Sequence, residues 1–433
     1  MKNRGEFFRY VAPAVLAFAI SGVYCIVDGF FIGHALGDDG LAAITIAYPV
    51  VAFIQAAGTG LGLAGAIRYT LLDSQGRKAE AGECFAGTSV LLIIASALMT
   101  GVFLLAAGPI LRVLGASGNV YVLAREYLRV IAVGALFQTL ATGLVPFIRN
   151  LGGASFAMVT MSAGFIVNVA LDYLFVWRIS AGMAGAAWAT VTGQAVTMLA
   201  AAGYLIVRRA RLKCSSARGI LRHFAPVLVL SLSPFGQTLS PQITSLFMNR
   251  FLTDYGDERA VAVYGCITYV TCVVYLLLQG VGDGCQPLLS RRVGEGDGAG
   301  FRYTRRLAIL TALGLAVASA AASIAFSGKV GVLFGASGQT IEDTARLLPV
   351  YAAALPFVAY TRVTAAGLYA AGRALPSYAL VYGEPVLTLV FLALLPGALG
   401  LGLEGVWPAV PAAQAGAAVI AAVMWARTAS DYK

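Results

Sequence analysis

Twelve apolar runs, each near or above the ~20 residues that an α-helix needs to cross a hydrocarbon layer, leave this chain almost no soluble fold to adopt. They cover residues 8–34, 41–67, 85–109, 122–148, 156–177, 183–207, 223–252, 261–289, 304–326, 345–370, 376–396 and 405–427. In hydrocarbon each backbone N–H and C=O must be satisfied within the protein, so runs of this length are read as helices. Composition points the same way. Apolar residues make up 59% of the chain and charged residues 12%, against roughly 45–50% and about 25% in soluble domains. The expectation is an all-α integral membrane protein with twelve transmembrane helices.

The chain also repeats itself. Arg9-Tyr-Val-Ala-Pro13 returns as Arg222-His-Phe-Ala-Pro226, Gly115-Ala-Ser-Gly118 as Gly335-Ala-Ser-Gly338, and Ser155-Phe-Ala157 as Ser377-Tyr-Ala379, at offsets of 213, 220 and 222 residues. Small loop insertions after duplication of a half-length unit leave this kind of drift. Six helices per repeat is an even number, so both halves enter from the same side and are related by a pseudo-two-fold along the membrane normal. The expected organisation is an amino-terminal six-helix lobe (1–207), a basic linker (208–222) and a carboxy-terminal six-helix lobe (223–433).

The net charge of +10 is read as topology. With both termini and the even-numbered connections on the cytoplasmic side, that side carries twenty-one basic residues and the other only eight, in keeping with the positive-inside rule. The densest run, Arg208 to Arg222, is merely the link between halves, so anionic lipid rather than nucleic acid is the expected contact. The first run follows a charged start and continues for a full span, so it reads as a helix and not as a cleaved signal. The expected location is the plasma (inner) membrane, multi-pass, with a monomer as the working unit.

Cys25, Cys84, Cys214, Cys266, Cys272 and Cys285 form no C-x-x-C pair and have no histidine nearby, which argues against zinc or a disulfide framework. No metal motif, nucleophile with a base, or phosphate loop is present; Lys329 follows Gly328 without the earlier glycine of a P-loop. The chain is not expected to be an enzyme or to carry a cofactor.

Chemistry concentrates in the acids that stand within the apolar runs: Asp28, Asp172, Asp283 and Glu384. A carboxylate at mid-bilayer costs about 2.5–3.5 kcal/mol, so such residues face a cavity or a partner. Asp28 shares a helical face with Tyr24 and Ser21, Asn168 shares one with Asp172, and Thr190, Gln194 and Thr197 form a third stripe. These oxygens suit a proton, held by a desolvated carboxyl, or a small hard cation. The alternative is a set of interhelical hydrogen bonds that only hold the bundle together. Arg362, in the tenth span, demands a counter-charge, which Asp283 or Glu384 is expected to supply. The two acids are therefore either a second acid site or a charge pair with Arg362.

At this point a family resemblance emerges. Val27 to Gly37 (V-D-G-F-F-I-G-H-A-L-G), followed by Leu41-Ala-Ala43 and Pro49, resembles the first two helices of the MATE (multidrug and toxic compound extrusion) transporters. So do Gly282-Asp-Gly-Cys-Gln-Pro287, R-N-L-G-G-A from Arg149, N-x-x-x-D at Asn168 and Asp172, and the stretch Gly182 to Thr190. The resemblance implies two six-helix lobes in a V that alternate access and expel amphipathic cationic compounds in exchange for protons or sodium. It assigns Asp28, Asn168, Asp172 and Thr190 to an amino-lobe cation site, where a sodium ion is the one metal implied. Tyr24, Tyr48, Phe53, Gln194, Tyr264 and Gln286 are candidates for the substrate cavity. The seventh and tenth spans lack the acids that some members carry there, so a carboxy-lobe site has only Asp283 and Glu384 to draw on. The competing reading is a lipid-linked sugar flippase of related architecture, which a net acidic set of candidate cavity residues disfavours.

Overall fold

The computed structural model describes residues 2–208, 217–333 and 338–428. Arg209, Arg211, Lys213, Cys214, Gly335 to Ser337 and Lys433 lie outside the described residues, as do the side chains of Cys25 and Asp38. Fifteen helices account for nearly all of the rest. They are α1 (Arg4–Gly37), α2 (Asp39–Ser74), α3 (Lys78–Val113), α4 (Gly118–Val133), α5 (Ala135–Asn150), α6 (Ala154–Arg178) and α7 (Gly182–Val207), then α8 (Ala217–Arg222) and α9 (Phe224–Tyr255). The remainder are α10 (Glu258–Gly294), α11 (Gly298–Ala325), α12 (Ser327–Leu333), α13 (Gln339–Ala370), α14 (Ala374–Ala398) and α15 (Gly402–Thr428).

Ten of these are long and apolar enough to cross a membrane, and α4 with α5 makes an eleventh as a span bent by 57°. The protein is a multi-span membrane protein. The expected fourth span is that bent pair. Its hinge is Gly134, where α7 presses Val191 so close that a Cβ has no room. The expected seventh span is α9, a 32-residue helix that has the length but is thinned in hydropathy by its prolines, serines and Gln237. Apolar residues sit outside as well as inside: Leu105 is 87% exposed and Leu98 65%, which water would penalise and hydrocarbon does not.

The chain divides into two compact units, Met1–Thr238 and Leu239–Lys433. The boundary falls within α9, whose first half packs Phe235 on Gly60 and edge-on against Phe53 at 5.4 Å in unit 1. The sequence repeat restarts at 222, and the packing boundary lies later, because descent and packing divide the chain by different criteria.

The duplication is visible in the backbone. Left-handed glycines recur in pairs 220 residues apart: Gly76 and Gly296, Gly118 and Gly338, Gly152 and Gly372, Gly182 and Gly402. Each marks a helix-to-helix turn that an L-residue would strain. A π-helical turn closes α6 at Tyr173–Arg178, and another closes α14 at Leu394–Ala398. Unit 1 is built around Ile32, Ala47, Ile54, Leu128, Ile131 and Met183, and unit 2 around Met248, Ile267, Leu348, Tyr351, Leu392 and Val406. Where backbones cross most closely, glycine makes it possible: Gly62 of α2 lies on Gly143 of α5, and Gly164 of α6 lies on Gly193 of α7. Without a hydrophobic force between helices in lipid, such close van der Waals contact is the main adhesive.

Candidate functional site

The four residues expected to form an amino-lobe site come together in unit 1. Asp28 on α1 and Asp172 at the end of the regular part of α6 lie within hydrogen-bonding reach of each other. Asp172 is fully buried and Asn168, one turn earlier, nearly so. The Asn168 amide donates to the Thr190 hydroxyl of α7 at 3.4 Å, and that hydroxyl donates in turn to the Ala186 carbonyl at 3.1 Å.

Local structure explains why these side chains meet. Gly164 and Gly193 let α6 and α7 approach until Gly193 faces the Asn168 Cβ. Thr197, on the same α7 stripe, spends its hydroxyl on the Gly193 carbonyl at 3.1 Å and fills the space beside Gly164. Aromatic contacts fix α1 against α6 on either side of the acids. Tyr24, one turn before Asp28, stacks on Phe165 at 5.1 Å, and Phe31, nearly one turn after it, meets Tyr173 at 6.4 Å and Trp177 at 5.7 Å. The π turn begins at the residue after Asp172, a distortion that recurs at functional positions in helices.

The site holds more oxygen than hydrogen. Asp28 Oδ1, Asn168 Oδ1 and both carboxyl oxygens of Asp172 are buried with no hydrogen-bond donor among the described residues, as are the hydroxyls of Thr160 and Ser162. Leaving such atoms unpaired costs about 1–3 kcal/mol each. Two carboxylates side by side in a low dielectric repel strongly, so a proton or a cation between them is the arrangement that relieves both penalties. Among the described residues, no three His, Cys, Asp or Glu side chains stand together at metal-binding spacing. The set therefore combines two carboxylates with an amide and a hydroxyl.

Unit 2 collects the other candidates differently. Arg362 and Asp283 do not pair directly. Gln279 stands between them, accepting from Arg362 Nη1 at 2.9 Å and donating to Asp283 Oδ1 at 2.7 Å. The Arg362 guanidinium lies over the Tyr275 ring at 4.9 Å. Glu384 accepts from Gln414 at 2.5 Å, and Gln414 also reaches the Tyr275 hydroxyl at 3.4 Å. Arg362 is thus linked to Asp283 through an amide. Gln279, Gln414 and Tyr275 have no signal in the sequence, since a glutamine or tyrosine in a span carries no charge to flag it.

The cavity candidates separate into two groups. Tyr48 and Phe53 are 39% and 40% exposed, and Tyr24 and Gln194 are half-buried, all in unit 1. Tyr264 and Gln286 are buried inside unit 2, Tyr264 beside Tyr351 at 6.2 Å and Gln286 donating to Ser290 at 2.8 Å. Those two belong to helix packing and present little surface to a substrate.

A further polar cluster lies at the end of unit 1 where α3 begins. Helix α8 docks there: Arg222 pairs with Glu80 and stands 3.9 Å from Glu83, while Gly219 lies against the Glu83 carboxylate. Arg68 Nε donates to Nδ1 of the buried His223 at 3.2 Å, which requires that nitrogen to be unprotonated. Glu80 is held below the usual carboxylate range by its hydrogen bond to Arg77.

Comparison with known proteins bears on the fold and the family. The MatE family model matches twice, over residues 13–174 and 233–394, the two matches again 220 residues apart. Among curated proteins, the multidrug export protein MepA of Staphylococcus saprophyticus is 26% identical over 289 residues, 65% of this chain and 63% of the relative. MepA of Staphylococcus aureus (strain MSSA476) is 26% identical over 293 residues, with the same coverage. The match thus spans about 63% of the length of these relatives. Among solved structures, the outward-facing conformation of a multidrug resistance MATE family transporter of the MOP superfamily superposes with a TM-score of 0.93 at 25% identity, covering 100% of this chain and 97% of that one. A MOP superfamily transporter from Pyrococcus furiosus, described as having a binding pocket of reverse polarity, gives 0.92 at 25% identity over 99% and 96%. With both halves matched by one family model and the whole chain superposing on solved members, the chain belongs to the MatE family of membrane transporters.

Proposed function

We propose that the chain is a secondary active multidrug exporter that expels amphipathic cationic compounds in exchange for an entering proton or sodium ion, with Asp28 and Asp172 as the coupling site. The observation that carries this reading is the pair of carboxyls without a basic partner among the described residues, three of whose oxygens are buried and unpaired together with the Asn168 Oδ1 beside them. An entering cation satisfies those oxygens and removes the repulsion between α1 and α6. The empty pair favours a different α1–α6 contact, and that difference in free energy is what couples ion entry to a change of access. Asn168, held by Thr190, supplies the third oxygen. Apolar and aromatic surface on Tyr24, Tyr48 and Phe53 suits lipophilic cations, which aromatic faces attract. Asp283 and Glu384 serve unit 2 as a charge-balanced network around Arg362 and not as a second copy of the site. The excess of arginine at one set of helix ends supports cytoplasmic termini in a bacterial plasma membrane, and a monomer contains every residue this scheme needs.

Accumulation of ethidium in a drug-sensitive bacterial host tests the assignment. Cells expressing the chain are expected to hold less dye than vector controls, and cells expressing Asp28→Asn the same amount as controls. Equal accumulation with and without the wild-type chain would remove the exporter reading and direct attention to a lipid-linked cargo.

A further inference from the structure

One end of unit 2, formed by the start of α11, the end of α13 and the end of α15, is rich in arginine. Arg302, Arg306 and Arg427 are exposed there, as topology alone would have them. Arg305 is not: it is only 7% exposed. Its guanidinium carbon lies 3.4 Å from the centroid of the Trp425 ring and 6.0 Å from that of Tyr360. Its Nη2 donates to the Thr364 hydroxyl at 3.1 Å, and its Nε is buried with no acceptor among the described residues. A hydroxyl and two rings surround it, and no carboxylate pairs with it among the described residues. Ring faces relieve part of a buried cation's cost. They leave Nε–H, one of the in-plane donors that a phosphate takes two at a time, without an acceptor among the described residues.

The internal repeat shows that the scaffold does not require a charge here. At the constant spacing of 220, Arg305, Tyr360, Thr364, Gly367 and Trp425 correspond to Phe85, Leu140, Leu144, Phe147 and Leu205 of unit 1. In unit 1 these positions make a dry contact, with Phe85 edge-on to Phe147 at 5.0 Å and Leu144 and Leu205 buried. In unit 2 all five have changed. One phenylalanine has become the cation. The other has become a glycine, at which an added Cβ would stand 3.8 Å from Arg305 Cδ, so the volume of a ring has been removed next to the guanidinium. Two leucines have become a phenol and a hydroxyl, and the third has become the tryptophan on which the guanidinium stacks.

We propose that this is a phosphate-binding site, occupied by the headgroup phosphate of an anionic phospholipid, with Arg305 as the charge and Thr364 and Tyr360 as flanking hydroxyls. Arg305 is two turns from the start of α11, and Trp425 is three residues from the end of α15, which is headgroup depth. Basic pockets between transmembrane helices at that depth take anionic headgroups. Inorganic phosphate is the other source of the same chemistry.

The test uses purified full-length protein in a neutral detergent. Phosphatidylglycerol, phosphatidylcholine or inorganic phosphate is added, and bound lipid is read by native mass spectrometry alongside the melting temperature. Wild type is expected to retain phosphatidylglycerol over phosphatidylcholine and to melt higher with it. Arg305→Phe, which installs the unit 1 residue, is expected to bind it roughly 10–100-fold more weakly, the size of a lost charge-assisted hydrogen bond. Trp425→Leu should weaken it in the same direction, and the exposed Arg306→Ala should not. Stabilisation by inorganic phosphate without lipid, lost in Arg305→Phe, supports the phosphate site and assigns it to a soluble source. Unchanged phosphatidylglycerol affinity in Arg305→Phe overturns the proposal, as does a wild type indifferent to both phosphatidylglycerol and phosphate. Should Arg305→Phe aggregate, Arg305→Gln, neutral and close in shape, decides in the same way.

Discussion

Asp28 of α1 and Asp172 of α6 meet carboxyl to carboxyl inside unit 1, and no basic side chain pairs with either among the described residues. Two acids that share one bound cation act as a unit, so their removal is not additive. Asp28→Asn and Asp172→Asn are each expected to reduce efflux to the vector level, and the double variant to be no worse and as well expressed. If either single variant kept most of its efflux, the pair would not be the coupling unit.

Gly164 and Gly193 set the distance between α6 and α7. A Cβ at Gly193 would lie 2.7 Å from the Gly164 carbonyl oxygen and 2.9 Å from the Asn168 Cβ, both on the facing helix. Gly193→Ala is expected to cost about 1–3 kcal/mol by overpacking and to displace Asn168 from Thr190, lowering the melting temperature and efflux together. At Gly164 the obstacles are the Thr197 hydroxyl and the Gly193 carbonyl oxygen at 2.7 Å, so Thr197→Ala should rescue Gly164→Ala only in small part. A melting temperature unmoved by Gly193→Ala would contradict the close crossing.

Arg362 is linked to Asp283 through Gln279, and removing one member of a buried charge pair typically costs about 3–5 kcal/mol because a lone charge is left behind. Arg362→Ala should therefore be destabilising and should regain stability when combined with Asp283→Asn, measured by thermal unfolding in detergent. The Glu384→Gln combination is expected to rescue less, since Glu384 is held by Gln414. Equal rescue by both would mean that the network shares its charge more evenly than the hydrogen bonds imply.

The docking of α8 should depend on pH. Burial holds the His223 imidazole below its ordinary value of 6.5, with Arg68 and then Arg222 pushing in the same direction against Glu83 and Glu80. A base depressed in the docked state binds its proton more readily when undocked, so docking is full above about pH 6.5 and weakens as pH falls below it. Hydrogen exchange of the amides of residues 218–222 is expected to quicken on going from pH 7.5 to 5.5, after correction for intrinsic rates. Protection that stays constant over that range would show that Arg68 and His223 do not hold the helix.

Much of this was legible in the residues. Each of the twelve apolar runs coincides with a helix or a bent pair, because burial of the backbone in hydrocarbon leaves no other regular choice. Asp28, Asn168, Asp172 and Thr190 were legible because carboxylates in apolar runs are costly and helical spacing puts each on a face with other polar groups. The π turn after Asp172 was not, since no residue pattern between Tyr173 and Arg178 marks an extra residue per turn. The relay by Gln279 was hidden because Gln279 and Arg362 lie 83 residues apart and an amide carries no charge to balance. In sequence Arg305 reads as one more topology arginine, because an arginine near a helix end normally extends its head to water. Only the packing of Trp425 over it reveals that this one does not.

The most direct measurement is efflux of a fluorescent lipophilic cation from proteoliposomes under a pH gradient and a sodium gradient imposed separately. Export driven by one of the two gradients, and abolished in Asp28→Asn with the protein still folded, is the predicted result and names the coupling ion. Gradient-driven export that survives in Asp28→Asn would contradict the claim that this carboxyl pair couples ion entry to drug exit.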